Sequence, residues 1–394
     1  YRAVTWSLYS SVAYREAGKP KTAIYLFKEF TDNKSPAFRQ SPYYLEAQRL
    51  TALSYQDVFD YDTAIKTYLE LYDQAKSAKR RGLTPPPPLP GEKAKTFEEV
   101  KLDALFNAAV LSELDRDFSK AIRYYRQYER EETNRRSRDR ALWAIARIYR
   151  SSGDTNNLVT AYRNWRKKYG DDAGNEDDYV FSFYDVAEAY TKRRRTRDAN
   201  SYREQTIKAW QRKGASKNTR GAKLAGEYAL YFAEQEFQRR FLPYSIKTQA
   251  RTEKQAKAQI ANLDKRTKEI QDLYLDLGRF GVGEYAMAAK VRFGETKTLY
   301  AQKIFAMPTP KYIVDLDRRA PEAELLAKYE DGLAQNLQPL VDQAKTEWLE
   351  VVELGKQKNV SNKWTKLALE NLNQEFPDEY PILREELVDG TEDP

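Results

Sequence analysis

Ala23 stands nine residues after Tyr14 and four before Phe27, and the same frame returns at Ala64, nine after Tyr55 and four before Tyr68. Ala121 has Tyr125 four residues on, with Ser112 in the upstream place and the small Ala108 and Ala109 close by. Leu158 replaces the alanine between Tyr149 and Tyr162, and Ala199 follows Tyr190 by nine. A small residue held at fixed distances from aromatics marks a repeated supersecondary unit, which limits the fold more than any local propensity does. Gly18 and Gly153 fall between the upstream aromatic and the anchor, where one helix ends and the chain reverses. Each unit therefore reads as two helices joined by a tight turn. Ala23, Ala64, Ala108, Ala146 and Ala187 let backbones approach, and aromatics one turn away fill the space beside them. A single hairpin cannot bury its own apolar face, so neighbours must stack. The expected fold class is all-α, a solenoid of antiparallel helix pairs.

The anchors at 23, 64, 121, 158 and 199 are 41, 57, 37 and 41 residues apart, so the units carry unequal insertions. The largest is the Pro-rich loop at 77–98, where Pro85 to Pro88 and Pro90 forbid a helix and favour an extended polyproline form. It reads as a surface loop breaking the array, either a rigid spacer or a docking segment. An acidic loop, residues 171–179, precedes the fifth unit, and a sixth helix is expected around 220–241.

The texture then changes. Residues 245–280 are polar and helical with one narrow apolar stripe, Ile260, Leu263, Ile270, Leu273 and Leu277. They read as half of a long antiparallel hairpin, with 283–305 as its partner and Ala286, Ala289 and Phe293 facing in. Gly281-Val282-Gly283 sits at the turn between them and lacks the strand–turn–helix setting of a phosphate loop. A Pro-punctuated connection leads to another long helix, or a pair broken before Pro339, and then to a closing helix at 361–373 and a loose acidic tail, 387–394. The expected division is 1–240 for the degenerate array with its loop and 241–394 for the long-helix C-terminal region.

These units resemble the tetratricopeptide repeat, a helix–turn–helix of about 34 residues. Tyr14, Ala23 and Phe27 match its Tyr, Ala and Phe positions, as do Tyr55, Ala64 and Tyr68 with Tyr for Phe. Trp364, Leu367 and Ala368 fall at the Trp, Leu and Gly positions of a repeat opening. The resemblance implies a superhelix whose concave face, lined by the first helix of each unit, takes an extended or helical segment of a partner protein. By repeat offset, Ser7, Ser11, Gln48, Asn107, Arg147 and Asp185 are the exposed candidates on that face. Residues 280–381 are also loosely similar to large cell-envelope repeat proteins of delta-proteobacteria, through Pro308 and Pro310, Ala344, Lys345 and Trp348, and Asn362 and Trp364. That similarity implies a periplasmic or outer-membrane-associated assembly such as motility or secretion machinery.

Composition narrows the chemistry. The chain has no cysteine, which rules out disulfides, thiolate zinc sites and cysteine nucleophiles, and no histidine, which rules out Ser-His-Asp chemistry and histidine-based metal sites. Carboxylate, lysine and tyrosine chemistry remain, for example a glycan-cleaving helical toroid using one Glu in a deep cleft. No cofactor or metal is expected. The 29 tyrosines suit helix-pair packing, since the ring buries while the hydroxyl reaches a rim. No run of about 18 apolar residues exists to span a membrane. The first residue is Tyr1, not Met, so the chain reads as a processed or trimmed product, from which any targeting segment or lipidated cysteine could have been removed.

A formal charge of +8 is mild for this length. Arginines nonetheless cluster, at Arg135, Arg136, Arg138, Arg140 and Arg147 and at Arg193, Arg194, Arg195 and Arg197. If both clusters shared one face they would grip an acidic protein, a cell-wall polymer or nucleic acid, although a solvated helix face is the ordinary account of such runs. The first expectation is thus a non-catalytic protein–protein interaction scaffold, and the second a basic module acting through these arginines.

Overall fold

The repeat frame of the sequence is the repeat of one backbone turn. In the computed structural model, which describes residues 2–86, 88, 93–321 and 324–381, five residues standing five before the anchors adopt left-handed backbone. They are Gly18, Phe59, Arg116, Gly153 and Arg194, with φ of 70°, 62°, 63°, 72° and 58°. Each donates its N–H to the carbonyl three residues back, respectively Arg15, Gln56, Glu113, Arg150 and Thr191. At Lys19, Asp60 and Asp154 the next N–H reaches five residues back, to Tyr14, Tyr55 and Tyr149, which completes a Schellman closure. The residue after the left-handed one then starts the second helix. Asp60, Asp117 and Asp154 accept from the N–H groups of Thr63, Lys120 and Asn157 at 3.2, 3.0 and 3.1 Å. In these three hairpins reversal and capping occupy two consecutive residues, which holds the turn tight, while Lys19 and Arg195 take the same place without a side-chain cap.

Seventeen α-helices and no strand occur among the described residues. The chain forms two compact units, residues 1–173 with 189–194, and residues 174–188 with 195–394. The first holds α1 (Arg2–Glu16), α2 (Pro20–Asp32), the short α3 (Pro36–Arg39), α4 (Tyr44–Asp57), α5 (Tyr61–Ser77), α6 (Phe97–Leu114), α7 (Phe118–Glu131), α8 (Arg135–Ser151) and α9 (Thr155–Tyr169). Helices α1/α2, α4/α5, α6/α7 and α8/α9 pair, and α2 packs on α4, α5 on α6 and α7 on α8. The anchors Ala23, Ala64, Ala121 and Leu158 and the downstream Phe27, Tyr68, Tyr125 and Tyr162 are all buried. Tyr14 departs from that expectation and stays 41% exposed, because α1 has only α2 and α4 to pack on.

The Pro-rich loop does not break this array, contrary to the expectation. Helix α5 runs on into a 3₁₀ turn, Ala78–Arg81, and α6 starts at a capping box in which Thr96 and Glu99 satisfy each other's backbone N–H. Helices α5 and α6 still pack directly on each other. Pro87 and Pro90 of the proline run lie outside the described residues, as does the acidic tail at 387–394.

Helix α10 (Glu176–Lys192) runs across the division between the units, and the second unit continues with α11 (Thr196–Arg212) and α12 (Arg220–Glu236), which ends in a π-helical turn at Phe237–Phe241. Then come α13 (Glu253–Leu275), α14 (Gly283–Phe305), α15 (Lys311–Arg319), α16 (Leu325–Lys358) and α17 (Lys363–Glu375). Residue 240 falls inside this unit, where α12 packs on α13. Helices α13 and α14 pair as the sequence implied, around the left-handed Gly281 (φ 69°). Their inward faces differ in detail. Tyr274 and Ile270 take the buried places on α13 and leave Leu273 exposed. On α14, Tyr285, Ala288 and Val291 set the buried face at spacings of three, which turns Ala286 outward.

Helix α16 stays unbroken through Pro339. Ala344 and Trp348 on it are buried against α14, where the indole donates to the carbonyl of Val291 at 3.0 Å and lies over Gly294. Asn362 caps α17 by accepting from the N–H groups of Trp364 and Thr365, and Trp364 is buried. The Pro308–Pro310 stretch pairs locally with residues 249–250, as Gln249 donates to Thr309 and Lys311 to Ala250. The C-terminal residues picked out by resemblance therefore pack and cap this unit.

Candidate partner-binding groove

The residues nominated for a partner face do not converge. Ser11, Gln48 and Asp185 are buried, not exposed, and Ser7 is half-buried with its carbonyl accepting from the Ser11 hydroxyl. The physical reason is packing. The first helix of a pair sits between its own partner and the second helix of the pair before. Helix α4, lying against both α2 and α5, is buried nearly all round. Asn107 is half-buried and donates to the Asp103 carbonyl at 2.8 Å. Arg147 is exposed but holds Glu113 through two hydrogen bonds of 2.8 Å, and Glu113 also accepts from the Tyr125 hydroxyl at 3.0 Å.

The arginine clusters are largely engaged within the chain. Arg135 holds Asp172 through two nitrogens, at 2.6 and 2.8 Å, and lies over the ring of Tyr169. Arg138 reaches Glu129 at 3.4 Å, and Lys168 and the Tyr169 hydroxyl reach the same carboxylate oxygen. That ring of donors holds the Glu129 carboxyl below its usual range despite its burial. Arg193 donates to the Gly153 carbonyl at 2.7 Å, which ties one turn of the array to the next, and Arg195 pairs with Asp198. Arg194 occupies the left-handed turn position, and it and Arg197 are exposed.

One carboxyl stands apart. Glu227 on α12 is pushed up by burial and by the nearby carboxylates of Glu188 and Glu284, although it accepts from the Tyr184 hydroxyl at 3.2 Å. A Glu kept protonated in a deep cleft was the requirement for a glycan-cleaving site. Glu227 is only partly withdrawn from water and remains at the surface of α12.

Of the nominated residues, Gln48 lines an open groove. This groove, of about 570 Å³, lies in the first unit between α2 and α5, with α4 along its floor. Lys28, Thr31 and Asp32 come from α2, Tyr44, Gln48, Thr51 and Tyr55 from α4, and Thr63, Lys66, Thr67, Glu70 and Gln74 from α5. Lys34 and Arg39 come from the connection that contains α3. The lining is mostly hydroxyl, amide and charge. Several groups already have partners, since Thr51 donates to Ala47, Thr67 to Thr63 and Tyr44 to Thr31. Gln48 is 5% exposed, and its buried Oε1 accepts from nothing. An unmet buried acceptor is costly, about 1–3 kcal/mol, and is normally matched by protein, water or ligand.

No family model and no curated protein matches this sequence. Solved structures with similar stretches include a putative kinesin light chain from Podosopora anserina with nearly identical TPR-like repeats. It is 16% identical over 54% of this chain and 98% of that one, with a TM-score of 0.35. The TPR2AB domain of yeast Sti1, solved as a pHSP90 complex, is 13% identical over 76% and 97%, with a TM-score of 0.27. The P58(IPK) TPR domain is 12% identical over 96% and 99%, with a TM-score of 0.23. At TM-scores this low none of them carries an argument, and the helical-repeat fold stands on the helix pairing of this chain itself.

Proposed function

We propose that this protein is a non-catalytic scaffold that holds partner proteins, and that one partner segment lies in the groove between α2 and α5. The observation that carries the reading is the buried, unmatched Gln48 Oε1 on the floor of an open polar groove. A hairpin array supports such a role because its stacked pairs give a long solvent-facing wall that needs no central pocket. The arginine-based alternative is weakened by the carboxylates and carbonyls that Arg135, Arg138, Arg147, Arg193 and Arg195 already hold. A place in a periplasmic or outer-membrane-associated assembly, such as motility or secretion machinery, is the setting suggested by the C-terminal resemblance and by the lack of cysteine. No helix among the described residues is long and apolar enough to cross a membrane.

The test is site-specific photo-crosslinking in cells of the source organism. A photoreactive residue at Lys66, on the groove wall, is compared with one at Lys208, exposed on α11. The scaffold reading expects one defined protein adduct from Lys66 that Gln48→Leu weakens. Absence of any protein adduct at both positions would overturn it. Fractionation of the same cells reports the compartment, and a purely cytosolic signal would remove the envelope setting.

A further inference from the structure

Resting on the scaffold reading, we propose that the groove between α2 and α5 is a receptor for an acidic, extended polypeptide segment. The segment's carboxylates meet Lys28, Lys34, Arg39 and Lys66, and one of its backbone N–H groups meets Gln48 Oε1 when the amide turns from its buried position into the groove.

Four observations converge on this. The first is that Gln48 is not required by packing. It stands sixteen residues before its anchor, Ala64, and the same place holds Leu105, Leu142 and Phe183 in three other hairpins and the half-buried Ser7 in the first. Leu105 is fully buried there. In this hairpin an amide stands where Leu105 is buried in another, and an open groove lies above it.

The second is that the groove is opened by small residues. Thr63 and Thr67 on α5 correspond, by anchor offset, to Lys120 and Tyr124 on α7. In that next pair the space is filled. Tyr124 is buried, and Gln127 donates to the Tyr72 hydroxyl at 2.8 Å, while that hydroxyl and Lys101 both reach Glu131. The first groove has no such bridge.

The third is the connection between α2 and α4, which runs from Asn33 to Tyr43 and contains the extra helix α3. It brings Lys34 and Arg39 to the groove. With Lys28 and Lys66, four exposed cations face two carboxylates, Asp32 and Glu70, and none of the six forms an ion pair among the described residues. The excess positive charge selects an anionic ligand, and charge-assisted bonds from Lys and Arg favour carboxylates.

The fourth is what the lining lacks. Of its two tyrosines, Tyr44 is buried with its hydroxyl turned to Thr31 and Tyr55 is half-buried, so the lining offers no fully exposed ring on which a sugar could stack. A buried carbonyl acceptor among hydroxyls suits the regularly spaced N–H donors of an extended peptide. These features lie on the side formed by the second helices of the pairs, opposite the face on which the sequence placed its candidates.

The experiment uses the full chain and fluorescence anisotropy with four labelled probes. These are a pooled library of short peptides with Glu at alternate positions, the same library with Gln or with Lys at those positions, and a uronic-acid oligosaccharide. The Glu library is expected to bind about tenfold tighter than the Gln and Lys libraries and to weaken as salt rises. Gln48→Leu should weaken it about fivefold, the scale of one hydrogen bond, with an unchanged or raised Tm because leucine serves the same place at Leu105 and Leu142. Lys34→Glu with Arg39→Glu should turn the preference towards the Lys library. Equal binding of the three peptide libraries, no binding of any, or binding of the oligosaccharide alone would overturn the acidic-peptide inference. In each case the scaffold reading is judged separately by crosslinking from Lys66.

Discussion

Arg147 on α8 grips Glu113 on α6 through Nε and Nη2, each 2.8 Å from a different carboxylate oxygen. The pair ties the first helices of two successive hairpins together, and the Tyr125 hydroxyl completes the cluster. Arg147 is about half exposed, so solvent screens the interaction. A double-mutant cycle with Arg147→Ala and Glu113→Ala should give a coupling of about 0.5–1 kcal/mol, read from urea unfolding. Arg147→Ala should leave crosslinking from Lys66 intact, since its role is to join hairpins. Loss of the adduct in a stably folded Arg147→Ala protein would restore it as a partner contact.

The left-handed turn position makes a paired prediction. Gly153 has nothing near enough to meet an added Cβ, so Gly153→Ala reports backbone strain alone and should lower stability by roughly 1 kcal/mol. Arg116 holds the same conformation with a side chain, and Arg116→Gly should be neutral or stabilising by a few tenths of a kcal/mol. Thermal melts of the two variants should move apart. A fall in both would mean that the Arg116 side chain contributes contacts that outweigh the strain.

Gly294 lies under the Trp348 indole, where an added Cβ would collide with the ring at van der Waals-violating range. Trp348 is fully buried and anchored to Val291, so it cannot swing aside without losing that bond. Gly294→Ala should cost about 2–3 kcal/mol by overpacking. Trp348→Leu alone should also destabilise, but the double variant should be better than the sum of the two, since leucine makes room for the methyl. Strict additivity in chemical denaturation would show that the two residues do not share a packing site.

Burial pushes the Tyr68 hydroxyl up to about 12, and burial aided by the Glu131 carboxylate does the same for Tyr72. Burial also raises Tyr125, Tyr128, Tyr184, Tyr228, Tyr274, Tyr285 and Tyr300. An unfolded tyrosine ionises near 10. Above that pH the unfolded chain releases protons that the folded one keeps, so stability is whole below pH 10 and falls as pH rises towards 12. Tyrosinate absorbance should therefore appear together with loss of helical circular dichroism in one cooperative alkaline step. A gradual rise in absorbance near pH 10 with helicity intact would refute it.

The Tyr68 hydroxyl is also buried without a hydrogen-bond partner. Tyr68→Phe removes an unmet polar group and leaves the ring, so the unfolding free energy should stay level or rise by up to about 1 kcal/mol. A drop beyond that would reveal a bond to that oxygen through water.

Much of this fold was legible because helical hairpins are local. The spacing of Tyr55, Ala64 and Tyr68 encodes a turn and two facing stripes within a short stretch of chain, and Ala64 and Tyr68 are buried as that spacing implies. Only two of the five turn glycines that such a pattern invites are present, and the aspartates at 60, 117 and 154 mark the same turn as clearly. The candidate site was harder to read. Gln48 was named by repeat offset as an exposed candidate, and it is buried. Whether a polar residue on α4 meets water, core or a groove depends on how α2 and α5 flank it.

The sequence by itself determined the hairpins, their turns, and the small and aromatic residues that let them stack, because each depends on contacts close along the chain. Tertiary structure alone decided that Arg147 is held by Glu113, that Leu273 and Ala286 face outward, and that Thr63 and Thr67 leave space where Tyr124 fills it. Those outcomes depend on which side chains from different hairpins compete for one volume or one carboxylate, and no spacing within a single helix records that competition.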